Sequence, residues 1–319
     1  MSNFSMSEPP ENSSSTTRNR YPVTGAGLGL RRGLLRELAQ TGTEDFDFME
    51  VAPENWIGVG GRFGRDFRAY AERFPLVCHG LSLSIGSPAA LDVGFLGEVK
   101  TFLDRYDVKC YSEHLSYCGD DGHLYDLMPI PFTEAAVRYV ADRVKQVQDV
   151  LERRIILEHV SAYVAQSDEL SEIEFVNAVV QESDCDLLID VNNVFVNARN
   201  FGFDAHDYIS RLPSDRIAYG HIAGHYEETD DLLVDTHGAA IVEGVWELLD
   251  HAYAEHGAFP TLLERDFNFP GLAALKMEVD RVRGAQRRAS DHSLMRLKEL
   301  PDRDPSVYQA AEVDRVSAG

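Results

Sequence analysis

The most concentrated set of chemically active side chains in this sequence lies between Gly220 and Gly238, which read GHIAGHYEETDDLLVDTHG. The segment contains His221, His225, Asp235 and His237, although the whole chain has only 11 histidines. Imidazole and carboxylate groups are common ligands of divalent metals such as Fe, Zn and Mn. A solvated acidic loop is the ordinary alternative, so the interpretation depends on what the other segments provide.

Short β-rich segments alternate with longer amphipathic segments along the chain. In AAVRYVADRVKQVQDVL and AIVEGVWELLDHAYAEHG, apolar residues recur every three or four positions, as in helices that bury one face. Strands alternating with helices predict an α/β fold, specifically a (β/α)8 TIM barrel. A doubly wound open sheet is the structural alternative. The eight predicted strands begin near residues 22, 47, 76, 108, 155, 186, 217 and 261.

Nearly every predicted strand turns from apolar to polar at its carboxyl end. In a barrel these ends converge on one mouth, where active sites are assembled from several strands. Buried ionisable groups are costly when unpaired, and metal cations are suitable partners for such a cluster. The pattern therefore predicts a metal site at the mouth. The polar residues at the strand ends are Glu50, Glu54, His79, Glu113, His114, Glu158, Asp190, Asn193, His221, Glu264 and Asp266.

Composition limits the class of protein. The chain has 30 basic and 53 acidic residues and a formal charge of −23, which disfavours nucleic acid and anionic membranes as partners. It has no apolar run of about 18 residues and no signal peptide, so we expect a cytoplasmic protein. The cysteines lack C-x-x-C spacing, and we expect them to be reduced thiols. They are Cys78, Cys110, Cys118 and Cys185.

The two ends of the chain differ in composition from its centre. The first segment is rich in Ser, Thr, Asn and Pro, and the last is highly charged. We expect a disordered arm over residues 1–20, a barrel domain over 21–280 and a charged C-terminal helix and tail over 281–319.

Eight ordered motifs resemble those of the multinuclear non-heme iron-dependent oxidative enzymes, relatives of the methanobactin-biosynthesis iron enzyme. The resemblance covers residues 21–280. It implies a xylose-isomerase-like TIM barrel with two or three irons, mixed Fe(II) and Fe(III), and O2 as co-substrate. It also implies a ribosomally made precursor peptide modified at cysteine, commonly presented by a partner protein. The motifs are MEVAPENW, CHGLSLSIGSP, YSEHLSYC, LEHVSAY, DVNNVFVNARNFGFDA, GHIAGH, DTHG and LLERD.

The resemblance implies three iron positions built from the strand ends and from the segment after His221, with the Glu158 carboxylate bridging the first two irons. The first position would use His79, His114 and Glu158, the second Asp190, His221 and Glu264, and the third Asn193, Asp235 and His237.

Other polar residues are candidates for roles besides metal binding. His225 and Glu113 are candidates for catalytic proton transfer. For His225, support of a neighbouring metal ligand and a plain loop histidine are the alternatives. Glu50, Glu54 and Asn55 are candidates for positioning the peptide, and surface capping is the alternative for Glu54.

His159 stands where the family more often has Asn. Because neighbouring residues of a strand face opposite sides, we expect the His159 side chain to point away from the metals.

The chemistry expected from such a centre is oxidative. Fe(II) with open coordination positions can bind a substrate thiolate and O2. Three alternatives use similar ligands: a metal-dependent sugar isomerase or epimerase, an endonuclease-IV-like hydrolase with zinc, and a metal store. The charge of −23 disfavours the nuclease. The segments DVNN and HIAGH match the peptide-modifying family better than an isomerase.

Overall fold

The strands of this protein are short and mostly buried, and helices separate most of them along the chain. A computed structural model describes residues 20–119, 123–164 and 169–299. The strands are β1 (Ala26–Gly29), β2 (Met49–Val51), β3 (Leu76–His79), β4 (Tyr111–His114), β5 (Ser116–Gly119), β6 (His123–Pro129), β7 (Ile156–Glu158), β8 (Asp186–Asp190), β9 (Ile217–Ile222), β10 (His225–Thr229), β11 (Leu232–Asp235) and β12 (Thr261–Leu263).

Helices cover the outside of the sheet. Two 3-10 helices, Arg32–Leu34 and Pro53–Asn55, follow β1 and β2. The α-helices are α1 (Leu35–Leu38), α2 (Gly61–Ala71), α3 (Val93–Arg105), α4 (Glu134–Leu151), α5 (Glu172–Ser183), α6 (Val191–Phe201), α7 (Ala205–Ser210), α8 (Glu243–His256) and α9 (Leu272–Glu299).

Eight of the strands form a closed parallel barrel in the order β1-β12-β9-β8-β7-β4-β3-β2. These are the eight strands expected from the sequence, so the predicted (β/α)8 barrel is confirmed. The barrel closes where Ala26 pairs with Thr261 and Leu28 with Leu263. Gly27 faces the interior there, and a Cβ atom at this position would lie 2.6 Å from the ring of Phe48.

Two hydrophobic layers support the barrel. The larger one lies between strands and helices. It includes one face of α4, which begins at the N-cap Thr133, whose side chain accepts a hydrogen bond from Ala136 N. The smaller layer fills the barrel itself, with residues drawn from most of its strands. It consists of Val23, Phe48, Val77, Cys110, Ile156, Leu188, Ala218, Tyr219 and Leu262.

Two antiparallel hairpins were not expected from the sequence. The β5-β6 hairpin follows β4, and the β10-β11 hairpin follows β9, so both lie at the carboxyl end of the barrel. In the second hairpin His225 pairs with Asp235 and Tyr226 with Val234. Most strands of these ribbons have only four or five residues, which is too few for a clear strand pattern in the sequence.

The C-terminal helix α9 runs through the domain boundary that was expected at residue 280. Val282 and Ala285 lie beyond that position and remain buried in the core. The predicted arm over residues 1–19 and the tail over 300–319 lie outside the described residues. Within the described residues, no helix is both long enough and apolar enough to cross a membrane.

Candidate metal centre

Side-chain alternation along the strands aims polar groups into the carboxyl end of the barrel. A residue two positions after an interior hydrophobe faces the same side of its strand. Glu50 follows the interior Phe48 in this way, and Glu158 follows Ile156. On six strands, the residue two positions after an interior hydrophobe is a potential ligand: Glu50, His79, Glu158, Asp190, His221 and Glu264.

The first group joins β3, β4 and β7. His79 Nε2 lies 2.9 Å from Glu158 Oε2 and 3.0 Å from His114 Nε2. His114 Nε2 lies 3.5 Å from the same Glu158 oxygen. Ligand atoms bonded to one metal at about 2.1 Å lie about 3.0–3.5 Å apart, so the three atoms could share one ion.

The second group surrounds His221, which is fully buried. Its Nδ1 lies 2.8 Å from Glu264 Oε2 and 3.8 Å from oxygens of both Glu158 and Asp190. Its Nε2 lies 2.9 Å from Glu50 Oε2. The structure therefore places Glu50, expected to position peptide, among the potential ligands.

The third group forms where the β10-β11 hairpin meets the end of β12. His237 Nε2 lies 2.8 Å from Asp235 Oδ1, and His237 Nδ1 lies 3.5 Å from Glu264 Oε2. His237 has a left-handed φ of 51°. Asn193, the other expected ligand, donates from Nδ2 to Glu158 Oε1 over 3.2 Å. Four overlapping sets of side chains have ligand atoms close enough to hold an ion, and Asp235, although it contacts His237, is in none of them. The sets are His79, His114 and Glu158; Glu50, His221 and Glu264; Glu158, Asp190 and His221; and Asp190, His237 and Glu264.

Many polar atoms at this centre are buried without a hydrogen-bond partner. Buried polar atoms normally have partners, so a cluster of exceptions calls for an ion or a ligand. His221 Nδ1 and His237 Nε2 approach carboxylate oxygens closely but form no hydrogen bond. This donor set fits metal ions. The atoms without a hydrogen bond are Glu50 Oε1, His114 Nδ1, Glu158 Oε2, Asp190 Oδ2, Asn193 Oδ1, His221 Nδ1 and His237 Nε2.

The protonation of the metal-free centre reflects its crowded carboxylates. Burial lowers the pKa of His79, but the nearby Glu158 outweighs burial and raises it to about 9. Burial opposes protonation of His221 too, yet Glu50 and Glu264 hold its pKa well above the usual range. A metal that binds here must therefore displace protons from these imidazoles.

Several supporting residues were missed by the sequence analysis. Ser112 Oγ lies 2.7 Å from His79 Nδ1, which leaves Nε2 of His79 facing the first group. Tyr219 OH lies 2.6 Å from the same Ser112 oxygen and donates to Glu50. Arg31 donates to Glu264 Oε1. In metal sites the ligands are typically oriented by such hydrogen bonds from residues that do not themselves bind the metal.

Some expected site residues lie away from the ligand groups. Glu113 faces outward, where it accepts hydrogen bonds from Leu83 N and from the Tyr111 hydroxyl. Burial, followed by the charge of Glu54, raises the Glu113 pKa to about 7. Glu54 accepts hydrogen bonds from the backbone after β3, and Asn55 is exposed.

His159 and His225 also lie outside the ligand groups. His159 lies against the Tyr208 ring, with centroids 5.6 Å apart, and both of its ring nitrogens lack a hydrogen bond. His225 is buried beside Phe195.

The family is shown by sequence comparison. The family model of the RiPP precursor modification enzymes MbnB/TglH/ChrH matches residues 25–287. RiPPs are ribosomally synthesised and post-translationally modified peptides. The chain belongs to this family. Membership in the MbnB/TglH/ChrH family confirms the resemblance seen in the sequence motifs. A UPF0276 protein of Pseudomonas aeruginosa PAO1 is 59% identical over 275 residues, covering 86% of this chain and 97% of the relative.

Solved structures share the barrel at low sequence identity. An L-ribulose 3-epimerase superposes with a TM-score of 0.55 at 14% identity, covering 88% of this chain and 100% of the other. Endonuclease IV from Thermus thermophilus superposes with a TM-score of 0.51 at 15% identity, covering 84% and 100%. At such identities the likeness shows the fold alone, which is a xylose-isomerase-like TIM barrel.

Proposed function

We propose that this protein is an O2-dependent, multi-iron enzyme that oxidises a ribosomally made precursor peptide at cysteine. The observation that carries the proposal is the position of Glu158 between two ligand groups. One oxygen lies 2.9 Å from His79 Nε2, and the other lies 3.8 Å from His221 Nδ1. A carboxylate placed in this way can bridge two metal ions.

The charge of the buried ligands supports more than one ion. Glu50, Glu158, Asp190 and Glu264 are all buried at the mouth. Four negative charges in a low-dielectric site are costly without cations, and they match the charge of two divalent ions. Asp235 and His237 at its edge are the candidate ligands for the third iron that the family resemblance implies.

The ligand types are compatible with iron and argue against a structural zinc site built from thiolates. Imidazole and carboxylate ligands suit Fe, Zn and Mn, whereas thiolates favour structural zinc. Within the described residues no candidate group contains a cysteine, and the four cysteines are buried and unpaired. Family membership supports a peptide substrate. Bound iron would supply redox chemistry with O2 and a coordination position for the substrate sulfur.

The residues of the chain would exclude water from the interior end of the site and leave it accessible from one side only. His221 and Glu50 seal the interior end, since their side chains are 0% and 1% exposed. The more accessible ligands are His114, His237 and Asp235, at 13%, 15% and 12%. Substrate would therefore approach from their side, while Ser112 and Arg31 keep the ligands oriented.

Large apolar side chains are exposed in the segments that follow several barrel strands. Leu81, Tyr163, Tyr226 and Phe267 are all exposed there. Exposed apolar side chains of this kind are suited to contacts with a peptide or protein. We therefore propose that the precursor peptide binds across the mouth, with a presenting partner protein to capture it.

The test is a reconstituted reaction followed by peptide mass spectrometry. The mixture contains iron-loaded enzyme, a cysteine peptide encoded beside the gene, its neighbouring presenting protein and O2. The expected result is an O2-dependent mass change that is lost in the zinc-loaded enzyme. A substrate with Ser in place of Cys should not react, because a neutral hydroxyl is a far weaker ligand than a thiolate.

Two outcomes would contradict parts of the proposal. An unchanged peptide mass, together with sugar isomerisation or abasic-DNA cleavage by the zinc or manganese form, would replace the peptide function by one of these activities. A mass change that persists without oxygen would retain the peptide substrate and remove the oxidative mechanism.

A further inference from the structure

His225 has no place in the ligand groups, although it lies in the same segment as His221 and His237. Its Nδ1 lies 2.7 Å from Oδ1 of Asn192, and Nδ2 of Asn192 donates to Asp235 Oδ1 over 2.7 Å. We infer that His225 and Asn192 are positioning residues that hold the Asp235 carboxylate beside His237 and so maintain one metal position. The inference rests on the proposed metal centre.

Chemistry allows only one arrangement of this chain of hydrogen bonds. An ionised Asp235 can only accept hydrogen bonds, so Asn192 must turn its amino group toward Asp235. The carbonyl oxygen of Asn192 then faces His225, which must carry a proton on Nδ1 to donate to it. Each group thus determines the orientation of the next one.

The surrounding secondary-structure elements hold the hydrogen-bonded residues His225, Asn192 and Asp235 in place. Asp190 accepts from Asn193 N at the start of α6, which places Asn192 in the first helical turn. In the β10-β11 hairpin, His225 pairs directly with Asp235. The ring of His225 stacks on Phe195, with centroids 5.3 Å apart. Helix α6 and strands β10 and β11 therefore together position Asn192, His225 and Asp235.

Asp235 is restrained on every side that the described contacts show. Its Oδ2 accepts from Ser161 Oγ over 3.0 Å, and its backbone N donates to the Tyr163 hydroxyl over 3.0 Å. Its Oδ1 accepts from Asn192 and still lies 2.8 Å from His237 Nε2. The carboxylate is thereby pre-oriented, which raises the affinity of a ligand set for its metal.

This geometry makes His225 a positioning residue rather than a proton carrier. Between His225 and Asp235 stands a neutral amide, whose N–H does not release its proton near neutral pH. A proton therefore cannot pass through these hydrogen bonds to Asp235. The hydrogen bonds can still fix the orientation of the Asp235 carboxylate. The effect of His225 on the metal should therefore depend entirely on Asn192.

The experiment measures iron content and iron affinity, by elemental analysis and chelator competition, in variants of the full-length protein. His237→Ala first identifies the iron that depends on this position. His225→Phe keeps the stacking on Phe195 but removes the donor. Asn192→Ala removes the link. His225→Phe and Asn192→Ala are each expected to lower the affinity for this same iron by about 10- to 100-fold.

The double variant provides the decisive measurement. Adding His225→Phe to Asn192→Ala should cause no further loss, because His225 acts only through Asn192. His225→Asn, whose amide can donate from nearly the same place, should recover most of the affinity. His256→Phe is the matched control, because His256 is buried and hydrogen-bonded to Ser214 and Ile209 away from the centre. It should retain all iron.

The outcomes separate this inference from the proposed function. If the wild-type protein binds no transition metal, the proposed metal centre and this inference both fail. If His237→Ala loses no iron, or if His225→Phe retains its iron with unchanged affinity, this inference alone fails. Additive losses of iron affinity in the double variant would also overturn it. So would an equal loss of iron from every metal position in the His225 and Asn192 variants.

Discussion

Arg31 donates from Nη2 to Oε1 of Glu264 over 2.8 Å, although the two residues are 233 positions apart in the chain. The contact crosses the seam at which β1 pairs with β12 and closes the barrel. It leaves the other oxygen of Glu264 for His221, 2.8 Å away. Closure of the barrel and orientation of a metal ligand thus depend on the same pair of strands.

Replacing Arg31 by Met should weaken metal binding at the positions that share Glu264. Without the guanidinium, Glu264 can rotate away from His221, and the expected loss is about 10- to 100-fold in affinity. Arg31→Lys should have an intermediate effect, because lysine retains the charge but not the fork of donors. Chelator competition measures the change. Arg36→Met, exposed on α1, is the control, and equal losses in both variants would contradict the prediction.

Replacing Glu158 by Gln should deplete two metals together. The carboxylate lies between His79 and His221, and a neutral amide is a poor bridging ligand. His237→Ala should instead affect chiefly one position. Elemental analysis of anaerobically purified protein distinguishes the two patterns, with the exposed Glu182→Gln as control. A full metal complement in Glu158→Gln would show that this carboxylate is not a bridge.

Metal affinity should rise with pH. Burial lowers the His79 pKa, but Glu158 raises it more strongly, to about 9, so the metal-free imidazole binds a proton at pH 7. A metal must displace that proton, and affinity should increase about tenfold per pH unit for each proton released, up to pH 9. Chelator competition from pH 6 to 8 and proton release in weak buffer measure the effect. An affinity independent of pH would contradict the expectation that a metal must displace a proton from His79.

Glu172, at the start of α5, should make stability depend on pH. Burial raises its pKa to about 7, against the opposing hydrogen bonds from Tyr208 and Asn197. The folded state then binds more protons than the unfolded state between pH 5 and 7. Stability from this residue is therefore present at low pH and is lost as pH rises through about 7.

The matching experiment compares wild type and Glu172→Gln in urea unfolding of metal-free protein. The variant should gain about 2–3 kcal/mol relative to wild type between pH 5 and 8. Glu182→Gln, exposed on the same helix, should show no such gain. A constant difference between variant and wild type across this range would show that Glu172 remains ionised in the folded protein.

Much of the metal centre could be predicted from single strands. Polar residues such as His79 and Asp190 end apolar runs, and parallel barrel strands must bring such ends together. Glu113 was expected at the mouth, but strand alternation predicts its outward direction once the neighbouring His114 is taken as a ligand. Strand alternation is a local property, so it requires no knowledge of the partners.

The partners themselves were decided only by the tertiary structure. Arg31 reaches Glu264 through barrel closure, and Asn192 meets His225 and Asp235 through the register of a hairpin. Neither contact follows from residue type or spacing, because ordinary Arg and Asn side chains acquire their roles from groups distant in the chain. The sequence by itself therefore determined the barrel and the ligand types at its mouth. The packing of strands, hairpin and helix determined which atoms hold those ligands in place, since hydrogen bonds depend on distances and angles that only the assembled fold defines.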